Sequence, residues 1–246
     1  MRLDKFLTAT GCCSRTEAKR AVRGGNVLVN GLPAASADMK VNEETDQIVF
    51  CGKVVSYQKY CYIMLNKPEG VVSATEDPRE KTVLDLLPGN VRRPGLFPCG
   101  RLDKNTVGLM MITDDGLLGH RLLSPKHHVT KEYRFCAKFP ISEEDVAQME
   151  QGLVLDDGYV TLPAKVWVDD TRKGGVITLT EGKYHQIKRM LEAVHNQITF
   201  LERIRFGCLS LDEALERGEW RYLTQEEIAG LEAHASRESQ TTEDGE

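Results

Sequence analysis

Between residues 61 and 223 the chain places strand after strand without the strictly alternating helices that a parallel sheet needs. "CYIMLNK", "KEYRFCAKF", "AKVWVDD", "GVITLTEG", "FLERIRFG" and "EWRYLT" all read as strands, rich in β-branched and aromatic residues. They outnumber the helical segments. The expected fold class is therefore α+β, with a mixed, mainly antiparallel sheet flanked by helices. The clearest helix is "YHQIKRMLEAVHN", where Ile187, Met190, Leu191 and Val194 fall at i, i+3, i+4 and i+7. Others are "SEEDVAQMEQGL", capped by Ser142, "TDDGLLGHRLLSP" after Thr113, and a segment from Thr224 with Glu227 three residues on. Residues 75–100 are rich in Pro, Gly and charge and read as a long irregular connection with one short helix near 82–87. Connections of that length in a compact domain are often functional.

Residues 1–57 read as a separate small α/β unit. A first helix covers 3–9, with Leu3, Phe6 and Leu7 on one side. "SRTEAKRAVRGG" opens with a capping box, Ser14 and Glu17, and stops at Gly24 and Gly25. "NVLVNG" is a strand running into an Asn-Gly turn, and "QIVFCGKVVS" is a hairpin around Cys51-Gly52-Lys53. On the second helix Arg15, Lys19 and Arg23 recur every four residues and share a face, opposite Ala18, Ala21 and Val22. Such a stripe is either an ordinary solvated face or a surface that tracks phosphates. Residues 58–60 read as a linker, residues 61–233 as the larger domain, and 234–246 as an acidic, disordered tail.

Charge distribution matters more than the total of −5. Residues 1–31 hold six bases and two acids, whereas residues 225–246 hold seven acids and one base. A basic head, a near-neutral body and an acidic end leave nucleic acid open as a partner despite the net sign. No apolar run approaches the roughly 18 residues a membrane span needs. The start of the chain has no apolar stretch leading to a cleavage site, so a cytoplasmic protein is expected. The seven cysteines include no Cys-x-x-Cys, which points to reduced thiols. "KHH" at 126–128 is the only His pair, and adjacent residues rarely share a metal, so no metal and no cofactor are expected.

Three stretches of the larger domain carry chemistry. In "GRLDKNTVGLMMI", Asp103 lies between Arg101 and Lys104. Alone it is as easily a turn carboxylate. In "EGKYHQIKRM", Lys183, Tyr184, His185, Gln186, Lys188 and Arg189 gather at a helix start, a cluster suited to an anion. Lys188 borders the apolar stripe, and an inward lysine needs a carboxylate partner that the sequence alone does not name. In "KEYRF", Tyr133 is either a core aromatic or a ring for stacking an unpaired base.

Together with "SPKHHVTKEYRF", these stretches resemble the motifs of the pseudouridine synthases, and most of all the branch of the small-subunit ribosomal RNA synthase A. "RLDKFL", "SRTEAKRAV" and "VLVNG" likewise resemble the small RNA-binding domain named after ribosomal protein S-four. The resemblance implies an S-four-type domain followed by a pseudouridine synthase domain. It implies Asp103 as catalytic nucleophile or base, Lys188 as its basic partner, Tyr133 stacked on the target uracil, and Arg101 holding the RNA near it. RNA contacts are expected from Arg15, Lys19, Arg23, Lys183, His185, Gln186 and Arg189. Val107 and the methionines at 110–111 depart from commoner family choices on the apolar side. The implied substrate is a uridine of 16S ribosomal RNA, free or in an assembling small subunit, and the protein a monomer. A large-subunit site, or a non-catalytic assembly factor keeping the fold, are the rival readings. A hydrolytic glycosidase would need two carboxylates in range. The isomerisation conserves atoms, so it requires neither redox cofactor nor energy source.

Overall fold

The structure is a computed structural model and describes residues 1–10, 12–43, 45–55 and 59–236. Part of the expected linker at 58–60 and most of the expected tail lie outside the described residues. The chain divides into two compact units, Met1–Tyr60 and Cys61–Glu246.

In the first unit, helices α1 (Leu3–Ala9) and α2 (Arg15–Arg23) pack against strands β1 (Val27–Val29), β2 (Leu32–Pro33), β3 (Ile48–Phe50) and β4 (Lys53–Val55). The strands form one antiparallel sheet in the order β2-β1-β3-β4. Both hairpin turns take left-handed backbone, at Asn30-Gly31 and Cys51-Gly52, as an Asn-Gly-type turn requires. Ser14 and Glu17 close the capping box of α2 reciprocally. Its apolar side sends Ala18 and Val22 into a core with Leu3, Phe6, Leu7, Val27 and Ile48. Arg15, Lys19 and Arg23 remain on the exposed side.

The second unit is built on a nine-stranded sheet. Its strands are β5 (Tyr62–Lys67), β6 (Phe97–Pro98), β7 (Val107–Thr113), β8 (Lys131–Ala137), β9 (Lys165–Val168), β10 (Gly174–Leu179), β11 (Ile198–Phe206), β12 (Leu209–Ser210) and β13 (Trp220–Tyr222). The main path runs β13-β5-β7-β11-β8-β10-β9, with β6 on β7 and β12 on β11. Every pairing is antiparallel except β7 with β11, which run parallel at the centre. Helices α3 (Gly116–Leu123), α4 (Glu143–Gln151), α5 (Gln186–Ala193) and α6 (Gln225–Ser236) flank it. The long connection contains one 3-10 turn, Val83–Leu86, where the short helix was expected.

The structure assigns the cap of α3 and revises two local expectations. The cap of α3 is Asp115, which accepts from the Leu117 and Leu118 amides, because Thr113 is still the last residue of β7. Residues 183–185 precede α5 as a turn, with His185 left-handed at φ 49°, so they are not its first helical turn. Helix α6 continues to Ser236 with Ala235 buried, so residues 234–236, assigned to the tail, are helical.

The central parallel pair dictates one glycine. At Gly108 (φ 99°) a Cβ would collide with the backbone of Arg203, so the close approach of β7 and β11 requires the missing side chain. This contact sets the base of the loop that carries Asp103.

Candidate active site

Asp103 lies in the loop between β6 and β7, and the neighbouring backbone is fixed from several sides. Gly100 has φ 88° and turns the chain out of β6. Ser73 then holds Leu102 twice, donating to its carbonyl at 2.8 Å and accepting from its amide at 3.0 Å. The Thr106 amide closes the turn on the Asp103 carbonyl at 3.0 Å. Beneath them Lys67, fully buried at the end of β5, donates to the carbonyls of Thr106 (2.8 Å), Asp103 (3.0 Å) and Pro68 (3.1 Å). Burial pushes the Lys67 ammonium down to about 8, partly offset by the nearby Asp103. It is still cationic at neutral pH, and it binds carbonyl oxygens where a carboxylate would be usual.

The Asp103 side chain points toward α5. Lys188 donates to Oδ2 at 2.5 Å and to Asn105 Oδ1 at 2.7 Å. His185 Nε2 lies 3.4 Å from the other oxygen, Oδ1. The carboxylate is about 29% exposed and Lys188 about 19%, so the pair is partly screened from water yet reachable. The hydrogen bond from Lys188 to Asn105 ties the ammonium to the same loop and fixes its direction.

An open cleft of about 1070 Å³ runs past this pair. Asp103, Lys188, Tyr133, Arg101, Lys183, His185 and Gln186 all line it. Tyr133 projects from β8 and is 9% exposed, with one side in the hydrophobic core. Tyr184, which the sequence placed in the same cluster, is 75% exposed and stacks on His185 with ring centroids 3.8 Å apart. Lys183 lies over the Tyr159 ring at 4.5 Å.

Two residues expected to contact RNA have partners within the protein. Gln186 is 4% exposed. Its amide nitrogen donates to Glu181 Oε1 at 2.6 Å and its oxygen accepts from the Lys183 amide, so it braces the turn. Arg189 is absent from the cleft lining and bridges Asp156 and Asp157 at 2.5 and 2.7 Å, holding the Asp157 carboxyl below its ordinary value. Helical spacing shows that a cation is present but not that a distant turn brings two acids to it. Arg15, Lys19 and Arg23 belong to the first unit. Lys67, Ser73 and Asn105 were missed because each looks like loop punctuation in the sequence.

Among the described residues no cluster of three or more His, Cys, Asp or Glu is placed to hold a metal, and no helix is long and apolar enough to cross a membrane. All seven cysteines are free.

Residues 61–193 match the sequence model of the RNA pseudouridylate synthases, and residues 1–48 match the S4 domain. The chain is 46% identical over 231 residues to an uncharacterised RNA pseudouridine synthase of Bacillus subtilis (strain 168), covering 93% of this chain and 97% of the other. It is 40% identical over 233 residues to the ribosomal small subunit pseudouridine synthase A of Escherichia coli (strain K12), covering 94% and 100%. A crystal structure of a pseudouridylate synthase superposes with a TM-score of 0.65 at 36% identity, covering 94% of this chain and 99% of that one. The chain therefore belongs to the RNA pseudouridylate synthase family: it is an isomerase that converts uridine in RNA to pseudouridine, with an S4 RNA-binding domain at residues 1–48.

Proposed function

We propose that this synthase acts on one uridine of 16S ribosomal RNA, free or within an assembling small subunit, as a cytoplasmic monomer. The small-subunit assignment is supported by relatives at 40–43% identity whose names specify that subunit. The observation that carries the catalytic reading is the 2.5 Å contact of Lys188 with Asp103 in a cleft also lined by Tyr133.

In this reading the target nucleotide leaves its stack and enters the cleft, where its base lies on the Tyr133 ring. Unstacking costs a few kcal/mol, and an aromatic contact worth about 1–3 kcal/mol offsets much of it. Arg101, exposed beside Asp103, holds the RNA flanking the vacated position. The Asp103 carboxylate then acts on the sugar, either attacking C1′ or removing the C2′ proton, with Lys188 holding its Oδ2 in place. The N1–C1′ bond breaks and the uracil turns in place; C5 bonds to C1′ as the carboxylate leaves C1′ or returns the C2′ proton, and C5 gives up its proton while N1 takes one up. Enclosure by the cleft keeps the detached base from escaping and water from the reactive sugar. Lys67 and Ser73 keep the carboxylate loop in register with Lys188. The basic face of α2 grips the RNA backbone elsewhere.

Mapping pseudouridines across ribosomal RNA from a strain lacking this chain tests the substrate. The expected result is the loss of one 16S site, restored by the wild-type chain. Loss of a 23S site with an intact 16S pattern would overturn the small-subunit assignment.

A further inference from the structure

Among the described residues Arg203 is the largest fully buried side chain, 1% exposed, and no carboxylate lies within 4 Å of its guanidinium. It spends one donor on the Leu109 carbonyl at 2.8 Å, through Nε, and Nη2 has only the Met110 sulfur at 3.9 Å. Among the described residues Nη1 has no hydrogen-bond partner, and it lies 3.9 Å from where a Cβ on Gly100 would sit, so the glycine leaves the way to it open. Arg203 nonetheless lines the cleft.

A second cation shares this environment. Lys131 begins β8, lines the same cleft, and gives one of its three donors to the Val129 carbonyl at 2.8 Å. It too lacks a carboxylate within 4 Å among the described residues. Both cations lie against the one buried ring of Phe206, the guanidinium at 5.1 Å and the ammonium at 5.9 Å. Burial, and next the charge of Arg203, push Lys131 down to about 8. The acid nearest to the chemistry, Asp103, is already held by Lys188 and faced by His185.

A fully buried guanidinium and a half-buried ammonium against one ring, with no acid in contact with either, are unfavourable in the free protein; Glu181, the acid whose charge reaches Lys131, is taken up by Tyr159, Leu162 and Gln186. The arrangement makes sense when an anion enters, and RNA offers one anion, its phosphodiester. The register places that anion. Arg203 is the direct cross-strand partner of Tyr133, and Lys131 is two residues from Tyr133 on the same face of β8. A base on the Tyr133 ring therefore brings its own backbone next to both cations. We propose that Arg203 and Lys131 form a phosphate subsite in the floor of the cleft, gripping a phosphodiester attached to the flipped-out uridine. This rests on the reading of the cleft as the uridine site. It makes entry of the nucleotide, and not merely of the base, part of what the cleft recognises.

Calorimetric titration with uridine and with uridine 3′,5′-bisphosphate tests it, using the full chain and the Lys131→Met and Arg203→Gln variants. The expected result is that wild type binds the bisphosphate at least tenfold tighter than uridine. Lys131→Met should lose most of that preference, keep its affinity for uridine, and melt no lower than wild type. A merely structural lysine would not separate those readouts. Should Arg203→Gln fail to fold, Lys131→Met alone decides. Equal affinity for the two ligands in wild type, or an undiminished preference in Lys131→Met, would overturn the subsite. Tritium release from C5-labelled uridine in RNA is measured on the same wild-type preparation. An active enzyme without phosphate preference removes the subsite but leaves the uridine reading standing. An inactive wild type strikes the reading itself.

Discussion

Asp103 is held in place by residues that do no chemistry themselves. Lys67 contributes an ammonium to the carbonyls on either side of the turn, so removing it releases the loop without touching the carboxylate. Lys67→Met is expected to lower kcat about 100-fold, the order that a displacement near 1 Å costs, with KM for RNA little changed. Single-turnover kinetics check this, and an unchanged kcat would remove Lys67 from the positioning role. Lys131 gives a pH prediction. Its folded value, about 8, lies below the ordinary 10.5, so the folded protein sheds this proton first. Its burial therefore penalises the fold fully below pH 8, and the penalty fades as pH rises from 8 to 10.5. Any stability that Lys131→Met gains over wild type near pH 7 should shrink across that window, as thermal melts at a series of pH values would show. The residue scale was only half legible in the sequence. Asp103, Lys188 and Tyr133 could be picked out by motif, and Lys188 was seen to need an acid. The residues alone did not name that acid; the family resemblance pointed to Asp103, 85 residues away, and the fold brings the two into contact. The acids that Arg189 meets were hidden for the same reason, since they lie in a turn about 33 residues back.

At the scale of elements, local rules carry most of the chain. Capping boxes at Ser14 and Ser142 and the Asn30-Gly31 turn stand where the sequence puts them. The parallel pairing of β7 with β11 was not legible, because register between strands more than 90 residues apart is decided by the core and not by either strand. Gly108 is its signature. Gly108→Ala forces a Cβ into the Arg203 backbone at a positive φ and should destabilise the protein by about 3 kcal/mol or more, with RNA binding and activity lost together. Urea unfolding measures it, and a wild-type midpoint would refute the close approach. Helix α2 makes the opposite case. Its Arg15, Lys19 and Arg23 are exposed, so replacing all three with Gln should leave stability within about 0.5 kcal/mol. RNA affinity should fall and the slope of log affinity against log salt should flatten by about two to three. An unchanged slope in a salt titration would return the stripe to an ordinary solvated face.

For the whole molecule, the sequence already separates a basic head from a larger sheet domain, and the structure divides at Tyr60 and Cys61. The α+β class and the largely antiparallel sheet were readable because strands outnumber helices and do not alternate with them. The nine-strand order was not, since it depends on which apolar faces meet. A division of labour follows: the first unit holds RNA and the second transforms it. A chain lacking residues 1–57 is expected to bind RNA more weakly and with less salt dependence, while the chemical step at saturating RNA is largely kept.

The central claim is that one carboxylate, held by Lys188, performs the isomerisation. The most direct measurement is tritium release from C5-labelled uridine in 16S RNA, comparing wild type with Asp103→Asn at matched RNA binding. Wild type should release tritium stoichiometrically from one site, and the amide variant should release none above background while still binding RNA. Release by Asp103→Asn at the wild-type rate would contradict the account.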